Sequence, residues 1–286
     1  MLLLSAKPVV EKLNHEVFLR VKEVTKKLGR APKLSVILVG NDPASQIYTS
    51  KKGEAAVKLG MLHESHHLPA SVTPQEVKKL VDRLNEDPTV DGILIQRPLP
   101  KSFIEEEVVY WVDPSKDVDA FHPENAGRLV LGLPCFRPCT PHGVMEILDH
   151  YGLSVSGKTA CVIGRSSIVG KPLGSLLLQR DATVFQCHSK SPDLKKIAAS
   201  CDFLFVAVGR MGLVGQDYIK KGAVVVDVGI HRNAQGKVVG DVLFDEVKDI
   251  AQAITPVPGG VGPMTIAVLM QNTVWSAEKR AVKSMK

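Results

Sequence analysis

Apolar residues recur every three or four positions through residues 5–29, at Val10, Leu13, Val17, Val21, Val24 and Leu28, and Gly29 is a plausible stop. Residues 34–40 then form a short apolar run, a strand that enters the turn Asn41-Asp42-Pro43. A helix from Tyr48 to about Gly60 follows. Thr73-Pro74-Gln75-Glu76 is a capping box with proline at the first helical position, and it opens a helix reaching about Asn85. Residues 92–96 are a second buried strand, stopped by Pro98 and Pro100. Further on, residues 140–151 read as a helix with Thr140 as its N-cap. Strands at 159–163, 182–186, 203–208 and 223–228 come next, with a helix at 173–179 after the first of them. A last helix runs from Pro263 to about Lys283. Strands alternating with helices predict an α/β protein with parallel sheets.

One polar residue interrupts this pattern. On a helical wheel Tyr48, Lys52, Ala55, Ala56 and Leu59 share a face, so Lys52 stands where an apolar residue is expected. A buried ammonium is costly, burial tends to lower a lysine's pKa, and desolvated lysines often serve as acid–base groups. The bland alternative is a lysine that snorkels out at the end of the stripe. Gln96, straight after Ile93-Leu94-Ile95, lies at the carboxyl end of a strand, where ligands of such sheets sit; it either faces solvent or points into a site. His63, His66 and His67 fall in a turn after Gly60 and lack the spacing of a helical zinc pair, so no metal site is expected. Asp117 and Asp119 could bind metal, cap a helix or accept hydrogen bonds from a ligand.

The second half carries a glycine turn. The strand ending at Ile163 feeds Gly164-Arg165-Ser166, and Val169-Gly170-Lys171-Pro172 leads into a helix, the context of a dinucleotide site. The strict GxGxxG is absent, with Ser166 and Val169 in the second and third glycine places. A P-loop is excluded, because Pro172 stands where Ser or Thr is required. After the next strand an NAD site usually places an acid, but here the residues are Cys187-His188-Ser189-Lys190. Arg165 and Lys190 would attract the 2′-phosphate that a carboxylate would repel, which favours NADP. The loop 255–265, rich in proline and glycine, holds a fixed backbone against a ligand or against interdomain packing.

Composition narrows the class. The 286 residues suffice for about two domains, and 44% hydrophobic with 23% charged residues is ordinary for a globular protein. The net charge of +6 is spread along the chain and predicts no nucleic-acid partner. No apolar run approaches a membrane span and the first residues are too short for a signal peptide. Five cysteines with no CxxC pair suggest reduced thiols in a cytoplasmic protein.

Taken together, the motifs resemble the bifunctional methylenetetrahydrofolate dehydrogenase/methenyltetrahydrofolate cyclohydrolases of bacteria, over essentially the full length. The matching stretches are Ala44-Ser45-Gln46-Ile47-Tyr48 with Lys52, Gln96-Arg97-Pro98-Leu99-Pro100, and Lys116-Asp117-Val118-Asp119. They continue with Pro138-Cys139-Thr140-Pro141, Gly164-Arg165-Ser166 with Val169-Gly170-Lys171-Pro172, Cys187-His188-Ser189, and residues 255–265. The resemblance implies two α/β domains flanking a cleft. Residues 1–120 plus 264–286 would be the folate-binding catalytic domain, and residues 140–262 a Rossmann-like NADP-binding domain, with the C-terminal helix returning to the first. It implies a homodimer that oxidises 5,10-methylenetetrahydrofolate with NADP and hydrolyses the product to 10-formyltetrahydrofolate, in one-carbon metabolism that supports purine biosynthesis. Under it Tyr48 lies over the folate rings, Lys52 reaches the reacting carbon, Gln96 positions Lys52, and Asp119 accepts hydrogen bonds from the pterin. Pro258, Gly259, Gly260 and Gly262 line the folate pocket, and Gly164, Arg165, Ser166, Ser189 and Ile230 contact the cofactor.

Four positions depart from the family's usual residues. Glu54 stands where a second lysine is frequent, and Arg97 follows Gln96 where an apolar residue is usual. Ala120 replaces a glycine and His231 an asparagine. Glu54 and Arg97 could shift charge near the folate tail or Lys52 and so alter the balance of the two activities. A plain NADP oxidoreductase is the nearest competing enzyme, because Tyr48-x-x-x-Lys52 mimics a short-chain dehydrogenase pair, but here the pair precedes the glycine turn. A dinucleotide sensor without catalysis is the alternative from another class. Formate ligation, the third activity of larger folate proteins, would need a P-loop and more chain.

Overall fold

The structure is a computed structural model that describes residues 1–284. In chain order its first half comprises strand β1 (Leu2–Leu3), helix α1 (Ala6–Leu28), β2 (Lys33–Val39), α2 (Pro43–Lys58), β3 (Leu62–Leu68), α3 (Pro74–Glu86), β4 (Gly92–Ile95), α4 (Glu105–Val108) and α5 (Pro123–Val130). The second half comprises α6 (Cys139–His150), β5 (Thr159–Ile163), α7 (Gly170–Leu178), β6 (Thr183–Cys187), α8 (Leu194–Ala198), β7 (Phe203–Val206), β8 (Val224–Asp227), the hairpin strands β9 (His231–Arg232) and β10 (Val238–Val239), α9 (Phe244–Val247), β11 (Ala253–Ile254) and α10 (Val261–Ser284).

The chain divides into two compact units. One gathers Lys12–Arg128, Pro134–Arg137 and Ile266–Lys286; the other gathers Met1–Glu11, Leu129–Leu133 and Pro138–Thr265. The first unit holds a parallel sheet in the order β3-β2-β4. Val36 and Ile37 of β2 are fully buried, and α3 lays Val77, Val81 and Leu84 on the sheet beside Ile93. The capping box of α3 forms as its sequence requires: Thr73 Oγ1 accepts from Glu76 N at 3.3 Å, and Glu76 Oε2 accepts from Thr73 N at 2.9 Å. The second unit holds a sheet in the order β1-β11-β8-β7-β5-β6, every pair of it parallel. Its core packs Ile163, Leu204, Val206, Val225 and Ile254 from the sheet against Val247 and Ala251.

Several expectations change. His63, His66 and His67 lie on β3, a strand paired with β2 along its whole length, and not in a turn. The run Leu62–Leu68 is polar at most positions because β3 is the sheet's edge, which hides its period from the sequence. Residues 1–11, assigned above to the first domain, belong to the six-stranded unit, since Leu2 and Leu3 pair with Ala253 and Ile254. Helix α2 starts at Pro43, where Asp42 caps it by accepting from Ser45 N at 2.8 Å. The buried stripe of α2 is Ser45, Thr49, Lys52, Gly53 and Ala56, rotated from the expected one, so Tyr48 and Ala55 are only half-buried. The rotation follows from Gly53: a Cβ there would lie 2.8 Å from His63 Cε1, so the helix rests its glycine face on β3. Helix α6 begins at Cys139 with Pro138 as N-cap, so Thr140 is not the cap; its Oγ1 instead meets Thr265 Oγ1 at 3.0 Å.

Candidate active site

In the first unit the polar residues collect at the carboxyl end of the sheet. Gln96 N donates to Ile37 O at 2.8 Å, so its backbone still belongs to the sheet while its side chain clears the strand. Gln96 Oε1 accepts from Lys52 Nζ at 2.8 Å, and Gln96 Nε2 donates to Arg97 O at 2.6 Å. Lys52 itself is 7% exposed on the inward face of α2, between Thr49 and Ala56. A buried ammonium is tolerated only with acceptors in reach, and Gln96 supplies one without adding charge. Tyr48 lies one helical turn before Lys52 on the same side.

Asp117 and Asp119 divide the alternatives between them. Asp117 is buried and accepts from Phe121 N at 3.2 Å, His122 N at 2.8 Å and Asn125 Nδ2 at 2.9 Å; it shapes the loop before α5. Burial pushes its carboxyl above the usual range. Asp119 is half-buried and lines a small cavity of about 30 Å³ with Ile95, Arg97, Asp117 and Phe121, at the end of β4 that carries Gln96. Lys116, its neighbour in the motif, is structural: it is 2% exposed and donates to Leu84 O and Asp87 O at 2.7 and 2.6 Å.

The departures acquire local explanations. Arg97 Nη1 pairs with Glu105 Oε2 at 2.5 Å and the guanidinium lies 5.2 Å from the Phe121 ring centroid, so its charge has a partner of its own. Glu54 is exposed and accepts from Ser50 Oγ at 3.1 Å. Ala120 sits at φ 62°, the left-handed region in which glycine is unstrained.

In the second unit the strand order changes direction between β5 and β7, the switch point at which doubly wound sheets bind ligands. Gly164 leaves β5 at φ 130°, and a Cβ there would lie 2.2 Å from Ala207 O beyond β7. At Gly170 a Cβ would lie 2.3 Å from Gly164 O, so both glycines are required by close backbone approach. Ser166 Oγ accepts from Val169 N at 3.2 Å and Gly170 N at 3.3 Å, which explains a serine in the second glycine place: it takes up backbone N–H groups of the turn entering α7, whose N-cap is Val169. The sequence alone misses Gly174 and Gln186. Gly174 lets α7 approach β6, where a Cβ would meet Gln186 Oε1 at 2.4 Å, and Gln186 Nε2 in turn donates to Gly164 O. Their signal is a small residue one turn into α7 opposite a polar residue on a strand.

Arg165, Ser189 and Lys190 are exposed beside this turn, at the ends of β5 and β6, and no acid stands there. That donor set fits a phosphorylated ribose. Ile230 is 54% exposed after β8. In the loop 255–262, Thr255 is buried with its Oγ1 accepting from Asp227 N at 2.8 Å, and Gly259 O accepts from Ala6 N at 2.8 Å. Pro258, Gly259 and Gly262 are exposed, whereas Gly260 is buried against Pro256 and Thr255.

Comparison with known proteins agrees with this arrangement. Residues 4–119 match the model of the tetrahydrofolate dehydrogenase/cyclohydrolase catalytic domain, and residues 138–281 match that of the NAD(P)-binding domain of the same family. The chain is 52% identical over 284 residues to the bifunctional protein FolD of Nitratidesulfovibrio vulgaris, covering 98% of each. Among solved structures, the Campylobacter jejuni bifunctional enzyme FolD superposes with a TM-score of 0.95 at 45% identity, covering 98% of this chain and 99% of that one. The Trypanosoma brucei methylenetetrahydrofolate dehydrogenase-cyclohydrolase, solved with NADP and an inhibitor, gives 0.92 at 36% identity with 99% of each chain covered. The chain belongs to the tetrahydrofolate dehydrogenase/cyclohydrolase family.

Proposed function

We propose that this protein oxidises 5,10-methylenetetrahydrofolate to the methenyl cation with NADP, and then adds water to that cation to give 10-formyltetrahydrofolate and a proton. The observation that carries the reading is the buried Lys52 held by Gln96 at 2.8 Å. NADP supplies the hydride acceptor, and that step asks the protein for orientation and exclusion of water rather than a strong base. The hydration step asks for proton traffic, because a water must lose a proton as it attacks and the ring nitrogen must gain one as the adduct opens. Lys52 is the group assigned to that traffic. Gln96 holds its Nζ, Tyr48 stacks over the folate rings, and Asp119 accepts from the pterin N–H groups. Pro258, Gly259, Gly260 and Gly262 line the substrate pocket.

Gly164, Arg165, Ser166, Ser189 and Ile230 are assigned to the cofactor. The positive Arg165 and the acid-free end of β6 support NADP over NAD. We further place the protein in the cytoplasm as a homodimer. Its five cysteines are free thiols, and no helix among the described residues is long and apolar enough to cross a membrane. Support for a second copy comes from the edge strand β3: beside it, Thr49, His63, Ser65 and His67 line a hollow of about 410 Å³, where Thr49 Oγ1 and His63 Nε2 are buried without a hydrogen-bond partner among the described residues. Light scattering at twice the chain's 31.0 kDa would support the dimer.

The deciding experiment is a pair of spectroscopic assays on the purified protein. One follows reduced cofactor from methylenetetrahydrofolate with NADP or NAD; the other follows loss of methenyltetrahydrofolate above its uncatalysed rate. Activity in both with NADP preferred is expected. Dehydrogenase without cyclohydrolase would remove the role given to Lys52, and absence of both would overturn the reading.

A further inference from the structure

The six-stranded unit contains two buried carboxylates that the proposed reaction does not use. Asp227 ends β8 at 3% exposure, and Asp241 follows the β9–β10 hairpin at 0%. Asp227 Oδ1 accepts from Gly229 N at 2.9 Å and Asp241 N at 3.1 Å, while its Oδ2 accepts from Val242 N at 2.9 Å. Asp241 Oδ2 accepts from Val208 N at 2.8 Å and Gly209 N at 3.0 Å, in the loop that follows β7. Its Oδ1 lies 2.7 Å from His231 Nε2, which must donate because an ionised carboxylate only accepts.

The backbone is shaped around these groups. A Cβ at Gly229 would lie 2.4 Å from Asp241 Cγ, and one at Gly240 would lie 1.8 Å from Asp227 Oδ2. Past the ends of β7 and β8 the chain loses its ladder partners, and its N–H groups need acceptors. The two carboxylates supply them and tie the loop after β7 to the loop after β8. A buried charge is an expensive way to close a loop where a hydroxyl or a carbonyl would serve, and such groups are enriched near binding sites. These loops leave the carboxyl ends of the sheet, where a dinucleotide binds in doubly wound folds, and Ile230 stands exposed between Gly229 and His231.

We propose that Asp241 is a positioning residue for the cofactor: it fixes the Val208–Gly209 turn and His231 relative to each other, and so sets the backbone that the dinucleotide meets beyond β7 and β8. The proposal rests on the reading of this unit as the NADP-binding one. His231 is the exchangeable member of the set, half-buried and joined to the loop through its ring contact with Asp241. A glutamine there, whose amide nitrogen has the reach of the ring Nε2, can also donate to Asp241, whereas a phenylalanine cannot.

The test compares wild type with Asp241→Asn, His231→Phe and His231→Gln by NADPH fluorescence titration, steady-state kinetics and thermal denaturation. An amide at position 241 must turn its NH₂ group toward either the Val208–Gly209 donors or His231, so it loses one side of the brace. Losing hydrogen bonds to a charged group raises the NADPH Kd and the KM for NADP by about 10–100-fold in Asp241→Asn, with kcat at saturating NADP reduced far less. His231→Phe raises Kd in the same direction, and His231→Gln restores it to near the wild-type value. A folded Asp241→Asn with wild-type Kd, or one that loses kcat at unchanged Kd, overturns the proposal. If Asp241→Asn does not fold, the His231 pair decides alone: equal Kd in wild type, Phe and Gln overturns it. Wild-type protein that binds no NADPH overturns the cofactor reading itself, and the proposal with it.

Discussion

Gln96 presents its carbonyl and not its amide nitrogen to Lys52, because Gln96 Nε2 is already committed to Arg97 O at 2.6 Å while Oε1 accepts from Lys52 Nζ at 2.8 Å. The side chain is thereby held at both ends. A neutral acceptor anchors the ammonium without fixing its protonation state, whereas a carboxylate at the same place would hold the proton on. This distinction matters for a group asked to pass a proton beside a cationic intermediate, which a permanently charged lysine would repel.

Lys52→Met is therefore expected to lower methenyltetrahydrofolate hydrolysis by about 10²–10⁴-fold, the usual scale of general acid–base catalysis. Gln96→Glu is expected to reduce the same rate while preserving the hydrogen bond. Stopped-flow loss of the methenyl chromophore measures both. Hydrolysis by Lys52→Met at the wild-type rate would remove the lysine from the mechanism.

Ala120 carries a cost that a glycine would relieve. At φ 62° an L-residue with a Cβ is disfavoured by about 1–2 kcal/mol, and glycine's extra freedom in the unfolded chain gives back about 0.4–1 kcal/mol of that. Ala120→Gly is expected to stabilise the protein by roughly 0.5–1 kcal/mol, read as a higher urea midpoint at unchanged slope. A lower midpoint would show that the methyl group, which is 2% exposed, contributes more by packing than it costs in backbone strain.

Much of this architecture is legible in the sequence where one physical rule dominates. The capping box at Thr73 and Glu76, the strand–glycine turn at Gly164, and Lys52 inside a helical stripe each follow from a local requirement that tertiary contacts do not override. Strand β3 fails that test: at a sheet edge its polar residues show no period, and its pairing with β2 is a long-range fact. Leu2 and Leu3 likewise join the six-stranded sheet through partners some 250 residues on in the chain, Ala253 and Ile254. The buried stripe of α2 is displaced from the wheel because Gly53, not an apolar side chain, makes the contact with His63. Asp117 and Asp119 look equivalent in the motif and are separated only by which one finds backbone donors.

Asp91 shows how a buried charge organises the first unit. It is fully buried and takes Arg30 Nη1 at 2.7 Å, Arg30 Nη2 at 3.0 Å and Lys33 N at 2.9 Å, which ties the end of α1's following loop to the start of β2 and β4. Removing one partner of a buried pair leaves the other uncompensated and costs about 3–5 kcal/mol. Arg30 keeps partial solvent access at 24% side-chain exposure, so Asp91→Ala is expected at the lower end of that range. Equilibrium urea denaturation measures it, and a loss below about 1 kcal/mol would place the pair with ordinary surface ion pairs.

Asp227 makes stability depend on pH in an unusual direction for a carboxylate. Burial pushes its carboxyl up to about 6 from an ordinary value of 3.8, and the neighbouring Asp241 carboxylate adds to the rise, although three backbone N–H donors pull it down. Between those two values the folded protein holds a proton that the unfolded chain has released, so ν_N exceeds ν_U and stability falls as pH rises. The contribution is fully present below about pH 4 and lost as pH climbs through about 6. Asparagine does not titrate, so the stability of wild type minus that of Asp227→Asn is expected to decline across this window by about 3 kcal/mol, at 1.36 kcal/mol per pKa unit. Denaturation curves of both proteins at pH 4, 5, 6 and 7 measure the decline directly. A difference that stays flat, or that grows with pH, would mean the three N–H donors outweigh burial and hold the carboxylate ionised throughout.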